Sequence, residues 1–277
     1  MLAYEAFLSR HELFPYGFSS RVLVRTHWHR LGVKLLGFAF TLAPIGVAYW
    51  VFPIYREGEG TVIWSIFQIV GLPVLLISPV YIWFTDVQME RPEDGLYMAG
   101  LAVLGDWDGV DRYLLSQHAL GWLVKGYFAP LMLSYTIGDL NWLLSPAAWE
   151  LAQQQPFGWY QFGYRFLFFI DLVFGDIGYF CTLRLFNTHI RSTDRTGLGW
   201  AVCLACYPPF WFMIRSEYLA YWDVDWPGWV GSHTTLGLIW AILITVVASI
   251  VVWSDTSFGL RFSNLAYRGL LTNGPYR

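Results

Sequence analysis

The sequence predicts an all-α fold, a polytopic transmembrane helical bundle of about six spans, and three observations support this. Hydrophobic residues make up 56% of the 277 residues, and charged residues only 13%, against roughly a quarter in ordinary soluble domains. Six stretches approach the roughly 20 apolar residues that a helix needs to cross a bilayer. Positive charges fall on alternate connections. The composition excludes a soluble enzyme and a disordered chain, and the net charge of −3 excludes a nucleic-acid binder.

The N-terminal segment, residues 1–30, is expected to lie at the cytoplasmic membrane surface. It contains no sustained apolar run, since Glu5, Arg10 and Glu12 interrupt it, so it is not a signal peptide. A single membrane domain, residues 31–254, follows. Its expected spans are 32–54, 62–84, 119–143, 160–184, 198–220 and 229–253.

Two places in this domain depart from regular spans. Pro208 and Pro209 lie in the middle of the fifth span, where they predict a kink or a break. Carbonyl groups freed by such a break must face protein or a water-lined cavity, so we expect this helix to line the interior. The acidic connection 85–118 contains an apolar stretch, 96–104, that is too short to span and is either re-entrant or surface-lying.

The arginines predict the orientation. The connections and termini on one side carry nearly all of them, whereas the other side has only Arg56. Loops rich in Lys and Arg face the cytoplasm, so both termini are expected to be cytoplasmic in a multi-pass protein of the cell (inner) membrane. The arginines on this side are Arg10, Arg21, Arg25, Arg30, Arg91, Arg112, Arg184, Arg191, Arg195, Arg261, Arg268 and Arg277.

Ionisable residues inside spans are costly and need partners. The third and fourth spans should pack antiparallel, so facing positions have residue numbers of nearly constant sum. Lys125 and Asp176 meet this condition, as do Asp139 and Arg165. We expect two structural ion pairs that set the register of the hairpin.

Asp171 faces no cation in that register and lies near the bilayer centre. Two interpretations remain open for it: a protonated, hydrogen-bonded carboxyl, or a residue that lines a substrate cavity.

No metal site is predicted. Cys203 and Cys206 have the spacing of a metal or redox motif, but no second ligand pair exists, so small residues at helical spacing are the favoured interpretation. His27, His29 and His189 lie at expected helix ends and do not form a convergent set.

The C-terminal segment, residues 255–277, carries the most informative motif. Ser257-Phe-Gly259 precedes the run Arg268-Gly269-Leu-Leu-Thr272-Asn-Gly274-Pro275-Tyr276-Arg277. Its Gly and Pro residues form turns, and its two arginines suit a carboxylate or a phosphate. Alone, the segment predicts a cytoplasmic loop that binds an anion.

Over about residues 254–277, this segment resembles the isoprenylcysteine carboxyl methyltransferase family and its bacterial relatives. The resemblance implies methyl transfer from S-adenosylmethionine to a lipophilic acceptor, either isoprenylcysteine-like or a lipid. It implies that Asp171, Pro208 and Pro209 line the acceptor path. The residues expected to open the S-adenosylmethionine site are Arg268, Gly269, Thr272, Gly274, Pro275, Tyr276 and Arg277.

The resemblance leaves alternatives open, because phospholipid N-methyltransferases and some sterol reductases share the Gly-Pro-Tyr-Arg signature. One alternative is a membrane reductase of sterols or polyisoprenoids, and another is a non-catalytic membrane protein, a decayed or split copy. In the family the run continues into an Arg-His-Pro-x-Tyr stretch and further helices, whereas this sequence ends at Arg277. A truncated chain, or a second chain supplying the missing part, is therefore expected, and no catalytic residue can be named.

Overall fold

The computed structural model describes residues 27–57, 60–89, 91–153, 157–186, 188–219, 226–230 and 234–269. The described chain is helical with one two-stranded sheet, which confirms the all-α fold class. The expectations for residues 1–26 and for 270–277, including Thr272, Gly274, Pro275, Tyr276 and Arg277, lie outside the described residues.

The helices are α1 (Trp28–Val51), α2 (Gly60–Asp86), α3 (Gly95–Leu104), α4 (Arg112–Leu143), α5 (Pro146–Gln153), α6 (Gly158–Phe180), α7 (Gly197–Ala205), α8 (Phe210–Tyr218), α9 (Trp226–Val230) and α10 (Thr234–Phe258), and the strands are β1 (Ser192–Thr193) and β2 (Ala266–Tyr267).

Three of the described helices, α1, α2 and α10, are long and apolar enough to cross a membrane. Helices α7 and α8 together pass the same test but are bent by 68° where they meet, and they make a fourth span if counted as one. The bend falls at Pro208 and Pro209, which confirms the predicted break in the fifth span. The apolar stretch 96–104 forms the short helix α3, as expected of a segment too short to span.

Helix α3 packs tightly against the first half of α1. The Asp94 side chain caps its start by accepting a hydrogen bond from the backbone of Tyr97, and Gly105, with φ of 81°, ends it. A Cβ added to Gly100 would lie 2.0 Å from the carbonyl oxygen of Val33 on α1. The two backbones can approach this closely only because glycine has no side chain.

Replacing Gly100 with alanine is therefore expected to lower the free energy of unfolding by about 2–3 kcal/mol, because the helices must separate to admit the methyl group. Reversible unfolding in mixed micelles measures this. Gly32→Ala on α1 is the control, since nothing lies within 4 Å of its added Cβ and alanine there should stabilise the helix by about 0.5–1 kcal/mol. Equal effects of the two substitutions would contradict the close packing.

The core lies between α4 and α6. Val124, Phe128 and Met132 of α4 pack against Leu172 and Tyr179 of α6, and the rings of Phe128 and Tyr179 stack with centroids 5.9 Å apart. Three side chains from α7 and the bend that follows it cover this cluster: Trp200, Cys203 and Tyr207. Cys203 thus takes part in helix packing, in agreement with the structural interpretation of its spacing.

The sheet joins the C-terminal segment to the loop that follows α6. Strands β1 and β2 pair antiparallel, with Ser192 opposite Tyr267 and Thr193 opposite Ala266. Gln117 of α4 holds the sheet, since its Oε1 accepts from the backbone N–H of Thr193 at 2.6 Å. We call this end of the bundle, where α1 and α4 begin and α2 and α6 end, the charged end.

Candidate functional site at the charged end

A buried ion-pair network begins at Asp86, the last residue of α2. Arg30 donates to both of its carboxylate oxygens, with Nε 3.0 Å from Oδ1 and Nη2 2.8 Å from Oδ2. The ammonium group of Lys34 lies 2.8 Å from Oδ1. Lys34 is only 1% exposed, and Arg30 and Lys34 are one turn apart on the same face of α1.

The network continues to Asp94, the N-cap of α3. Lys34 Nζ lies 3.4 Å from Asp94 Oδ1, and Arg184 Nη2 lies 3.4 Å from Asp94 Oδ2. Three cations and two carboxylates thus tie α1, α2, α3 and the loop after α6 together. This network was not predicted from the sequence. One feature of the sequence could have indicated it. Lys34 lies at the start of an apolar stretch, one turn after Arg30, and a cation in that position needs a partner.

Arg268, the first residue of the C-terminal motif, is 2% exposed. Its Nε donates to the carbonyl of Thr188 at 2.7 Å, its Nη1 to the carbonyl of Phe262 at 2.6 Å, and its Nη2 to Oγ1 of Thr182 at 2.9 Å. Burial lowers the pKa of the guanidinium to about 10, so it stays charged at neutral pH. In the structure this side chain anchors the segment, and its predicted contact with a cofactor stays a prediction.

Gly269, the second residue of the motif, needs to be glycine. Its φ of 108° lies in a region that L side chains rarely adopt, and an added Cβ would lie 3.1 Å from Cζ of Arg191. The guanidinium of Arg191 therefore lies against the backbone at the point where the motif begins.

Lys125 and Asp176 do not form the predicted ion pair. The carboxylate of Asp176 accepts a hydrogen bond from Oγ1 of Thr136 at 2.6 Å, and Thr136 lies eleven residues beyond Lys125, about 16 Å along α4. The prediction was wrong because the true register places the loop after α6, not Asp176, opposite Lys125. The ammonium of Lys125 lies instead 4.7 Å from the ring centroid of Trp122.

The second predicted pair is confirmed. Arg165 Nε lies 2.7 Å from Asp139 Oδ1, and the guanidinium also covers the ring of Trp142, with Cζ 4.3 Å from its centroid. This pair and ring contact lie near the end of the hairpin that α5 closes.

His189 lies in the loop after α6 among positive charges. Burial, together with the charges of Arg184, Arg191 and Lys125, lowers the pKa of its imidazole to about 3. Its Nδ1 is buried, and it has no hydrogen-bond partner among the described residues. A neutral imidazole beside several cations makes this region suited to an anion such as a carboxylate or a phosphate. From the sequence, His189 was expected at a helix end, but its burial among several cations was not predicted.

Asp171 lies on the wall of a cavity of about 360 Å³ between α6 and α10. Its carboxyl is also close enough to that of Asp255 on α10 to form a hydrogen bond. Asp171 therefore lines a cavity, in keeping with one of the two interpretations, and its protonated state stays a prediction. Its role on an acceptor path stays a prediction.

Pro208 and Pro209 lie at the bend between α7 and α8. The hydroxyl group of Tyr127 on α4 donates to the Pro208 carbonyl at 2.5 Å, so a carbonyl freed by the break faces protein, as expected. The hydroxyl of Tyr207 accepts from Nδ2 of Asn264 at 3.0 Å, which joins the bend to the C-terminal segment.

The comparisons with known proteins identify no relative. No family model matches the chain, and neither a curated protein nor a solved structure matches it. The resemblance to isoprenylcysteine carboxyl methyltransferases consequently rests on the motif in residues 254–277 alone and stays a prediction.

Proposed function

We propose that the chain belongs to an integral membrane methyltransferase that uses S-adenosylmethionine and acts on a lipophilic acceptor. The observation that carries the proposal is the position of Arg268 and Gly269, the first two residues of the motif. Arg268 is anchored at the charged end, and Gly269 follows beneath the guanidinium of Arg191. The candidate cofactor segment thus begins in a part of the described bundle where several cations gather.

The charge of this region suits the cofactor. S-adenosylmethionine carries a carboxylate, which arginine binds through paired N–H donors. Arg191 is exposed at the start of the motif, and Lys125 and Arg184 add positive charge nearby. In the proposed enzyme these residues bind and orient the cofactor, while the activated methyl group on its sulfonium supplies the chemistry. The contribution of the chain is then mainly proximity and electrostatics.

The proposal includes six spans with the charged end in the cytoplasm. Helix α4 has 32 residues, about 48 Å, and α6 has 23, so both are long enough to cross. Their charges at Asp139 and Arg165 are paired with each other, which lowers the cost of placing them in a bilayer. The charged end carries Arg30, Arg184, Arg191 and Arg268, as the positive-inside rule requires.

Binding of S-adenosylhomocysteine to the protein purified from native membranes tests this function. We expect it to raise the unfolding temperature, and Arg191→Gln to weaken the affinity about tenfold through loss of a charge-assisted contact. Arg195→Gln is the matched control, because Arg195 lies in the same loop but contacts the ring of Tyr113.

The other outcomes favour the alternatives. Stabilisation by a reduced nicotinamide nucleotide, and not by S-adenosylhomocysteine, would indicate a reductase. No effect of either ligand would indicate a non-catalytic membrane protein, and an equal loss of affinity in Arg191→Gln and Arg195→Gln would contradict the proposed cofactor position.

A further inference from the structure

The cavity between α6 and α10 has the properties of a lipid-accessible binding site. Its volume of about 360 Å³ falls within the range of roughly 300–1,000 Å³ typical of small-molecule sites. Its wall is apolar except at Tyr164 and Asp171. Phe168 on one helix and Val247 and Val251 on the other line it and are each about half exposed, so the cavity opens on the face of the bundle that would contact lipid.

Asp171 and Asp255 form a carboxyl pair beside this cavity, and within the described residues neither forms an ion pair. Asp86, Asp94 and Asp139 each have a cationic partner within 4 Å. Two adjacent carboxylates repel each other, and negative charge is costly in an apolar environment without a counter-ion.

One hydrogen-bond acceptor at this site also has no donor among the described residues. Oδ1 of Asp171 is buried and has no hydrogen-bond partner among the described residues. A buried carboxylate oxygen without a donor destabilises the folded protein, so a ligand with N–H donors would remove this cost. The cavity beside it offers apolar walls for a hydrocarbon chain.

We propose that this cavity binds a lipophilic amine. The ammonium group lies against Asp171 and Asp255, neutralises the pair and donates to the free oxygen, while the aliphatic chain packs on Phe168, Val247 and Val251. The proposal concerns binding alone and holds whether or not the amine is methylated. If the proposed function is correct, it specifies an amine as the acceptor.

This site lies close to the C-terminal segment. Asp171 is one turn before Gly175 on α6, and a Cβ added to Gly175 would lie 3.6 Å from the ring of Phe262. The backbone N–H of Asn264 donates to the hydroxyl of Tyr179 on the same helix at 3.0 Å. Asn264 lies four residues before Arg268. The head group of a bound amine would therefore lie on the side of the cavity that faces the C-terminal segment.

The experiment compares two photoreactive probes with the protein in nanodiscs of zwitterionic lipid. Both carry the same dodecyl chain with a diazirine at its end, and they differ only in the head group, a primary amine or its neutral N-acetyl derivative. We expect the amine probe to label residues 243–252 about tenfold more than the neutral probe, as one charge-assisted contact implies. The double substitution Asp171→Asn with Asp255→Asn should remove this preference, whereas Glu150→Gln, at an exposed acidic position on α5, should leave it intact.

Ala248→Leu gives a second variant that keeps both carboxyls and fills the cavity. It should lower labelling by both probes, which keeps the proposal testable if the double variant does not fold. Equal labelling of the unaltered protein by the two probes would overturn the proposal, as would a preference for the amine that survives removal of both carboxylates. Neither result would bear on binding of S-adenosylhomocysteine, so the two proposals fail separately.

Discussion

Replacing Lys34 with methionine is expected to lower the free energy of unfolding by about 3–5 kcal/mol, the usual cost of removing one partner from a buried ion pair. The ammonium of Lys34 is the group that joins Asp86 to Asp94. Its removal leaves Asp86 with Arg30 alone and Asp94 with Arg184 alone. Methionine keeps most of the length of the side chain, so the loss measures charge and hydrogen bonding more than packing.

Reversible unfolding in mixed micelles measures this loss, and Arg112→Met is the control. Arg112 is an exposed cation at the start of α4, where such a change usually costs less than about 0.5 kcal/mol. A double-mutant cycle with Asp86→Asn then isolates the pair, and we expect a coupling energy of at least about 1 kcal/mol. Similar losses from Lys34→Met and Arg112→Met would show that the network does not stabilise the fold.

The helices of this protein could be predicted from the sequence because apolar run length is a local property. The break at Pro208 and Pro209 was predictable for the same reason, since proline removes a backbone donor wherever it lies. The ion-pair network was not predictable, because the acidic connection offers many carboxylates. The packing of α3 on α1 at Gly100 brings Asp94, and not another of these carboxylates, to Lys34, and this packing is seen only in the structure.

The hairpin of α4 and α6 shows where facing residues can be predicted from residue numbers and where they cannot. A constant sum of residue numbers paired Asp139 with Arg165 correctly and paired Lys125 with Asp176 incorrectly. The rule treats the two helices as aligned rods along their whole length. Phe128 stacks on Tyr179, which brings the end of α6 beside the first half of α4 and leaves Lys125 next to the loop. Packing of aromatic rings set this register, and charge matching alone did not predict it.

In the candidate site too, the local features were predictable from the sequence and the long-range contacts were not. The motif could be found in the sequence because its residues are contiguous, whereas the groups around it come from distant segments. Thr182 and Thr188 lie about 80 residues before Arg268 and nonetheless accept its hydrogen bonds. A sequence pattern shows an arginine suited to an anion, and only the fold shows that protein atoms already occupy its donors.

Replacing Arg268 with lysine is expected to cost about 3–5 kcal/mol and to release the C-terminal segment from the loop after α6. One ammonium group cannot replace three N–H donors that point to the Thr188 carbonyl, the Phe262 carbonyl and Thr182 Oγ1. Each buried carbonyl left without a donor costs about 1–3 kcal/mol. Hydrogen exchange should show loss of protection at the backbone N–H groups of Arg191 and Asp194, which donate to β2 and to Leu265.

Thr182→Val separates the anchoring role of Arg268 from its predicted role as a cofactor ligand. It removes one acceptor and keeps the volume, so stability should fall by only about 1 kcal/mol while the bonds from Nε and Nη1 remain. If Arg268 acts only as an anchor, the affinity for S-adenosylhomocysteine should fall in both variants in proportion to the lost hydrogen-exchange protection. A further loss of affinity in Arg268→Lys would indicate direct contact with the cofactor. Full protection and unchanged stability in Arg268→Lys would show that the anchor is not needed, because the buried carbonyls would then have found other donors.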